Sequence, residues 1–361
     1  MQVITICVGV AFLITCLSPY LSPSKFLFIG FTGLATPYLI TLLLLSLLYW
    51  LFHSLRWVLL ILAFLAIGYQ QVSVVFAFHV NNSFKEEKED ANIRIIDWNV
   101  RGFNGISDDK ISKRLLRPEL AQSILKLNPT IVCLQEFNHS YSSVSHPYET
   151  GNNIGLFSES LPYYYFSKDY KTANGYASGS IIFSKFPIID SGRLKFPKGE
   201  SALFIDVVNG QDTFRIYTTH LQSFKFKKYD YDNIEKVESN DSMALAASKN
   251  VFYKMRPAFT KRAFQVNLLK EWLTQSPFPN VVTGDFNDVP NSYAYFSIRG
   301  DRQDAFLKKS FGIGRTFISL APTLRIDYIL PDKNFEVKQF DLQDEGLSDH
   351  NMLITDLKLK H

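Results

Sequence analysis

The sequence predicts an α/β fold in which two packed sheets are flanked by helices and preceded by membrane-spanning helices. Two observations support this prediction. Before residue 85 the chain carries only two formal charges, Lys25 and Arg56, and no acidic residue. After Ala91, short apolar runs typical of strands alternate with helical segments and outnumber them. The chain therefore divides into an apolar N-terminal part and a large globular part.

Three uncharged stretches make up the N-terminal part, at residues 1–24, 26–55 and 57–84. Each contains an apolar run close to the roughly 20 residues that a helix needs to cross a bilayer. A signal peptide is the alternative for the first stretch, but no basic residue precedes its apolar run. We therefore predict an anchor of about three transmembrane helices over residues 1–80, with the lipid bilayer as its partner.

The orientation of the anchor follows from the bases in its short loops, Lys25 in the first and Arg56 in the second. Their nearly equal weight favours neither side strongly. With the N-terminus in the cytoplasm, three spans place the large domain outside it. The prediction is an integral inner-membrane protein, with a charged linker at residues 81–91 and a single globular domain at 92–361.

The globular part contains a regular succession of predicted elements. Helical spacing predicts helices at 117–127 and 261–273. Apolar runs predict strands at 93–99, 130–134, 179–184, 201–208, 213–219, 280–283, 326–330 and 352–358. Residues 223–257 form an irregular insertion, either a cover over a functional site or a solvated excursion.

Composition excludes some classes of protein. Outside the N-terminal part, 36 basic side chains face 34 acidic ones, so no concentrated basic groove is indicated. Cys133 lies inside an apolar run and is interpreted as a small core residue rather than a reactive thiol. Cys7 and Cys16 lie in the anchor, so there is no disulfide framework from which to infer a redox compartment.

Polar residues recur at the ends of the apolar runs, where turn residues are usual. They are carboxylates, amides and imidazoles, at Asn99, Glu136, His220, Asp285, Asn287, Asp327, Asp349 and His350. This set of side chains is what is needed to hold a hard divalent cation and to cleave a phosphate ester. The pattern therefore predicts one chemical site at a common edge of the fold.

Local sequence supports the grouping. Gly284 permits a sharp exit from its strand, and the i, i+2 spacing of Asp285 and Asn287 places both side chains on one side. Asp327 lies within an apolar strand, where a buried charge needs a partner. The imidazole of His350 is the obvious candidate for that partner.

The motifs that carry these residues follow one another in a fixed order. They are Trp98-Asn99-Val100-Arg101, Leu134-Gln135-Glu136, Thr219-His220-Leu221, Gly284-Asp285-Phe286-Asn287, Arg325-Ile326-Asp327-Tyr328 and Ser348-Asp349-His350. Read together, they resemble the endonuclease/exonuclease/phosphatase superfamily over residues 93–359, and a membrane-anchored bacterial-type member in particular. The resemblance implies a deoxyribonuclease-I-like fold, a four-layer sandwich of two mainly antiparallel sheets flanked by helices.

The resemblance also implies a metal site. Glu136 is expected to be the principal ligand, with Asn99 nearby and Asp349 helping. Mg²⁺ is the expected ion, with Mn²⁺ as a substitute, and the number of ions stays open. Asp285 is expected to orient or deprotonate the attacking water.

Further residues are expected at the phosphate. The resemblance assigns Asn287 and His220 to its non-bridging oxygens, and places His350 against it, held in orientation by Asp327. Asn174 and Tyr176, just before a predicted strand, are added as substrate-binding candidates.

The predicted function is a membrane-anchored, metal-dependent phosphoesterase acting on a phosphodiester or phosphomonoester. A membrane anchor argues against repair of chromosomal DNA and suits a nucleic acid outside the cytoplasm or a phospholipid head group. No protein partner is inferred. The alternative is an inactive, membrane-tethered scaffold, for which loss of one or more of these side chains is expected.

Overall fold

The computed structural model describes residues 1–80, 84–103, 110–141, 151–197, 199–226 and 244–360. The chain folds into two compact units. The first, here called the helical unit, consists of Met1–Phe76, Gln222–Leu268 and Asn287–Ile298. The second, the sheet unit, consists of Ala77–Leu221, Leu269–Phe286 and Arg299–His361. The boundaries of the compact units thus do not coincide with the predicted linker at residues 81–91. The segments Gln222–Leu268 and Asn287–Ile298 belong to the same unit as the N-terminal helices.

The described helices are, in chain order, α1 (Gln2–Thr15), α2 (Ile29–Leu51), α3 (Leu55–Ile67), α4 (Tyr69–Val72), α5 (Lys110–Leu125), α6 (Ala244–Leu273), α7 (Tyr293–Arg299) and α8 (Ala305–Lys309). In the helical unit, α1, α2 and α3 pack around a core that includes Phe12, Leu43 and Ile61. Among the described residues, α2 alone is long and apolar enough to cross a membrane, whereas α1 and α3 are apolar but shorter. The three predicted spans therefore stay a prediction.

The strands are β1 (Ala77–Phe78), β2 (Ile93–Asn99), β3 (Ile131–Ser140), β4 (Tyr163–Phe166), β5 (Tyr170–Lys171), β6 (Tyr176–Ser184), β7 (Ile188–Lys195), β8 (Ser201–Asn209), β9 (Asp212–His220), β10 (Asn280–Asp285), β11 (Phe311–Gly312), β12 (Asp327–Pro331), β13 (Phe335–Gln343) and β14 (Met352–Leu359). One sheet has the order β12-β10-β9-β8-β7. The other has the order β13-β14-β2-β3-β6-β4, with β5 paired to β6. Both are mixed, because β9 runs parallel to β10 and β2 runs parallel to β3.

The two large sheets pack face to face. Ile95 and Cys133 from one sheet share a buried core with Ile205 and Ile216 from the other. The opposite face of the first sheet is covered by residues of α5, including Leu120. The predicted α/β architecture of packed sheets flanked by helices is confirmed, and Cys133 is a buried core residue.

Every predicted strand is present, but several others were missed. β7 is only partly buried along its length, and β13 carries Glu336 and Lys338 on its exposed side. Neither has the apolar run that predicts a strand. Of the predicted 223–257 insertion, residues 227–243 lie outside the described residues, and helix α6 begins at Ala244.

Candidate active site

Strand register brings three predicted residues together at one edge of the five-stranded sheet. Asp285, the last residue of β10, lies beside His220 of the parallel strand β9 and beside Asp327 of the antiparallel strand β12. Gly284 makes this possible, because a Cβ there would lie 2.0 Å from the carbonyl oxygen of Thr219. The close approach of β9 and β10 therefore depends on a residue without a side chain.

The other large sheet contributes Asn99 and Glu136. Asn99 ends β2 and is paired with Gln135 of the parallel strand β3. Glu136 follows at a bulge, with φ of +54°, which turns its side chain away from the regular pleat. Glu136 has an exposed side chain, so its carboxylate is accessible to a ligand.

Asn99 joins the two sheets through its amide. Its Nδ2 donates to Glu136 Oε1 at 3.3 Å and to Asp285 Oδ2 at 3.1 Å. Its Oδ1 accepts from the backbone N–H of Arg101 at 3.1 Å. In this orientation Asn99 holds two carboxylates together, and its predicted role as a metal ligand stays a prediction that requires the amide to turn.

His350 is oriented as the sequence predicts. Its Nδ1 lies 2.9 and 3.1 Å from the two carboxylate oxygens of Asp327. The loop that carries it is tied to β2, because Trp98 Nε1 donates to the carbonyl oxygen of His350 at 2.7 Å and Ser348 Oγ donates to that of Asn99 at 2.7 Å. Burial alone lowers the pKa of His350, but the Asp327 carboxylate outweighs burial and raises the pKa to about 10.

His220 has a similar partner that sequence reasoning missed. Its Nδ1 faces the carboxylate of Glu200, which lies directly before β8. Burial lowers the pKa of His220, and the Glu200 carboxylate then raises it to about 10. The sequence does contain a signal, because Glu200 is an acid next to an apolar strand. It was missed because the predicted pattern placed acids after strands, whereas Glu200 precedes one.

Asp285 lies between the two imidazoles. Its Oδ2 is 3.6 Å from His220 Nε2 and 3.9 Å from His350 Nε2. Both rings therefore turn Nδ1 toward an orienting carboxylate and Nε2 toward Asp285. With both pKa values near 10, two cationic donors flank one carboxylate at neutral pH.

Buried polar side chains next to the site connect the two sheets. Gln135 Nε2 donates to Asp97 Oδ1 at 2.8 Å and to Thr218 Oγ1 at 2.9 Å, which links the two sheets. Burial raises the pKa of Asp97 well above its usual range, and the nearby Asp327 carboxylate adds to the rise. Burial therefore favours the protonated form of Asp97, whose contacts are structural.

The donor set fits a hard divalent cation. Asp285, Asp327 and His350 each bring one ligand atom within 4.8 Å of the others. Glu136 adds a carboxylate oxygen through its shared contact with Asn99. Hard cations prefer oxygen ligands at such clusters of carboxylates. The chemistry of the residues is thus suited to a metal beside Glu136 and Asp285.

The remaining predicted residues are Asp349, Asn287, Asn174 and Tyr176. Asp349 faces Arg101, with 3.5 Å between Oδ2 and Nε. Asn287, with φ of +51°, belongs to the helical unit and follows Asp285 by two residues. Asn174 is exposed, and Tyr176 begins β6 opposite Ser140, about 13 Å along β3 from Glu136. The structure therefore does not bring these two into the carboxylate–imidazole cluster.

Tyr176 instead lines a separate cavity of about 240 Å³. Lys168, Lys171 and Tyr141 also line this cavity. Lys168 Nζ lies 4.7 Å from the centre of the Tyr141 ring. The cavity is basic and aromatic, which suits an anionic group.

Comparison with known proteins identifies the family of the chain. Residues 98–350 match the endonuclease/exonuclease/phosphatase family, and the chain belongs to that family, whose members are typically phosphoester hydrolases. Residues 1–75 match a separate domain of unknown function, DUF8431. No curated protein matches the sequence.

Solved structures share the fold at low identity. An endonuclease/exonuclease/phosphatase from Beutenbergia cavernae is 18% identical, with a TM-score of 0.51, over 75% of this chain and 72% of that one. The catalytic domain of human Nocturnin with bound sulfate is 19% identical, with a TM-score of 0.49, over 76% and 97%. A family member from Bacteroides vulgatus is 20% identical, with a TM-score of 0.47, over 74% and 99%.

Proposed function

We propose that the chain is a membrane-anchored, divalent-metal-dependent phosphoesterase that attacks a phosphodiester or phosphomonoester with an activated water. The observation that carries the proposal is the position of Asp285 between two imidazoles, each oriented by its own carboxylate. Buried ion pairs contribute little net stability to a fold. A degenerate scaffold therefore has no need to keep so many buried charges in register. The scaffold alternative is therefore the less favoured.

Each residue of the candidate site has a proposed role in this reaction. Glu136, with Asp285 nearby, would hold the cation, Mg²⁺ or Mn²⁺, which supplies charge neutralisation on the phosphate. Asp285 accepts the proton of the attacking water. His350 and His220, cationic at neutral pH, donate hydrogen bonds through Nε2 to the phosphate oxygens as negative charge builds on them. Asn287 is proposed to add an amide donor.

The substrate class remains two-fold, a nucleic acid or a phospholipid head group. Both carry phosphates with an adjoining anionic or polar group, which the cavity of Lys168 and Lys171 would accommodate. Large apolar side chains are exposed along α1, α2 and α3, at Ile4, Leu45 and Leu59 among others. Such exposure suits contact with lipid tails and supports the membrane anchor.

The test uses the full chain in phospholipid nanodiscs with Mg²⁺, Mn²⁺ or EDTA. The substrates are single-stranded and plasmid DNA, RNA, sphingomyelin, glycerophospholipids, inositol phosphates and bis-p-nitrophenyl phosphate. Metal-dependent turnover that Glu136→Ala and His350→Ala abolish would support the proposal and identify the substrate class. Asp190→Ala, an exposed acid on β7, is the matched control. Metal binding without turnover on any substrate would instead favour the scaffold.

A further inference from the structure

A cluster of neutral polar side chains lies buried in the helical unit. It consists of Ser18, which follows α1, Gln71 of α4, and Asn291, which follows Asn287 by four residues. Ser18 Oγ donates to the Asn291 carbonyl oxygen at 2.7 Å, and Gln71 Nε2 donates to Ser18 Oγ at 3.1 Å. Asn291 Nδ2 donates to both carbonyl oxygens of Gln71, backbone at 2.9 Å and side chain at 2.8 Å. At most 1% of each residue is exposed.

A second buried contact holds the chain segment between Asn287 and Asn291, and it comes from α6. Arg262 Nη1 lies 2.9 Å from Asp288 Oδ2, and its Nε and Nη2 donate to the Gln222 carbonyl oxygen at 3.0 Å. Both Arg262 and Asp288 are buried. Asp288 is therefore held by α6, whereas Asn291 is held by Ser18 and by Gln71 of α4. Both residues closely follow Asn287 in the chain.

Helix α2 packs on Asn291 and on Phe259 of α6. A Cβ on Gly33 would lie 3.1 Å from the Asn291 carbonyl oxygen, and one on Gly30 would lie 2.6 Å from the ring of Phe259 on α6. Phe31 also contacts Phe259, with ring centres 4.9 Å apart. The apolar N-terminal helices are therefore packed against the segment that follows Asn287.

Asn287 itself has a left-handed backbone conformation. Its φ of +51° lies in the region that asparagine adopts more readily than other non-glycine residues. Such a conformation persists where the surrounding structure holds it, often at functional sites. Asn287 is two residues from Asp285 along the chain, so the direction of its amide depends on the backbone that these anchors fix.

We infer that Ser18 and Gln71 are positioning residues, through which the N-terminal helices hold Asn291 and thereby fix Asn287 in its working conformation. The inference rests on the proposed function for the role of Asn287, but its structural part does not. The N-terminal helices would then affect the proposed reaction through Asn287 alone. The competing explanation is that the cluster only stabilises the helical unit.

Two variants test this in the full chain. Gln71→Leu keeps volume and removes the side-chain hydrogen bonds, and Ser18→Ala removes a single hydroxyl should Gln71→Leu fail to fold. The matched control is Thr5→Val, because buried Thr5 Oγ1 accepts from Trp50 Nε1 at 2.9 Å in the same unit. The first readout is hydrogen exchange of the backbone amides of residues 287–289 and 291, since residue 290 is a proline. We expect exchange about 10-fold faster in the two test variants than in the control.

The second readout is catalytic. We expect kcat to fall about 10-fold in Gln71→Leu with KM changed by less than about twofold, while Thr5→Val retains the wild-type kcat. Combined with Asn287→Ala, Gln71→Leu should cause little further loss, because both act through one residue. Losses that multiply, or effects equal to those of Thr5→Val, would overturn the inference.

The two proposals fail in different ways. If the wild-type chain shows no turnover on any substrate, the proposed function fails, and hydrogen exchange decides the present inference alone. Unchanged exchange at residues 287–291 in Gln71→Leu and Ser18→Ala would then refute it. If turnover is present but insensitive to both variants, the proposed function stands and the positioning role is wrong.

Discussion

The apolar N-terminal helices and the sheet unit hold their buried polar groups in different ways. In the sheet unit, arginines pair with carboxylates inside the protein, as in Arg94–Asp356 at 2.7 Å and Arg215–Asp206 at 2.6 Å. In the helical unit, α1 and α2 are joined by a neutral hydrogen bond, from Trp50 to Thr5. The contrast follows the charge distribution of the sequence, since the first 84 residues carry two formal charges.

The proposed membrane anchor would explain this contrast. A charge within a bilayer is costly, whereas a neutral hydrogen bond costs little and still specifies packing. In the sheet unit, protein atoms surround the charges and provide partners for them, so charged groups can be fixed in place. The comparison teaches that a neutral hydrogen bond joins two apolar N-terminal helices, whereas charged pairs are buried among the strands of the sheet unit.

The largest expected effect is at the centre of the charged site. Asp285→Asn removes the carboxylate between the two imidazoles while keeping its shape. We expect kcat to fall by about 10²–10⁴-fold, because proton transfer from the attacking water loses its acceptor. Steady-state kinetics on the best substrate measures this, with Asp190→Asn as the control. A loss below about 10-fold would place the proton acceptor elsewhere.

The next prediction compares the two kinds of buried interaction directly. Arg94→Met leaves Asp356 buried without its partner, which typically costs about 3–5 kcal/mol of unfolding free energy. Thr5→Val removes one neutral hydrogen bond and should cost about 1 kcal/mol. Denaturant unfolding of the full chain in detergent measures both. Equal losses would contradict the distinction between the units.

A third prediction separates the two histidine–carboxylate pairs. The side chain of Asp327 is fully buried, whereas that of Glu200 is 42% exposed. Asp327→Asn should therefore lower kcat about 10²-fold, because a misoriented His350 no longer stabilises charge on the phosphate. Glu200→Gln should lower it by no more than about 5-fold, since exposed ion pairs contribute little. The reverse order of effects would make Glu200 the more important partner.

The smallest expected effect concerns a histidine that stays neutral. His139 Nδ1 accepts from the backbone N–H of Ile154 at 3.3 Å, and burial, helped by Lys168, lowers the pKa of His139 from 6.5 to about 4. The unfolded chain therefore binds a proton between pH 6.5 and 4 that the folded chain does not. The stability that neutral His139 provides is complete above pH 6.5 and is lost as the pH falls toward 4.

The effect amounts to at most about 1.4 kcal/mol per pH unit. Urea unfolding at pH 7 and pH 5 measures it in the full chain and in His139→Gln, which does not titrate there. We expect the wild-type chain to lose more stability between these pH values than the variant. Identical losses would show that other groups dominate the acid sensitivity.

Sequence patterns predicted most of the candidate site because its residues follow short apolar runs. Asn99, Glu136, His220 and Asp285 each follow a run that is recognisable from a few neighbouring residues. Glu200 was missed because it precedes its strand, and β7 and β13 were missed because partly exposed strands lack a strong apolar signal. Local patterns thus identify buried strands well and exposed ones poorly.

The sequence by itself determined the contrast between an apolar N-terminal segment and a charged remainder, and the chemical groups available after the apolar runs. These are local properties, set by the order of neighbouring residues. Only the tertiary structure decided that Glu200 faces His220 and that Ser18 bonds to Asn291, 273 residues away. Contacts of this kind depend on strand register and helix packing over long separations, which no local pattern records.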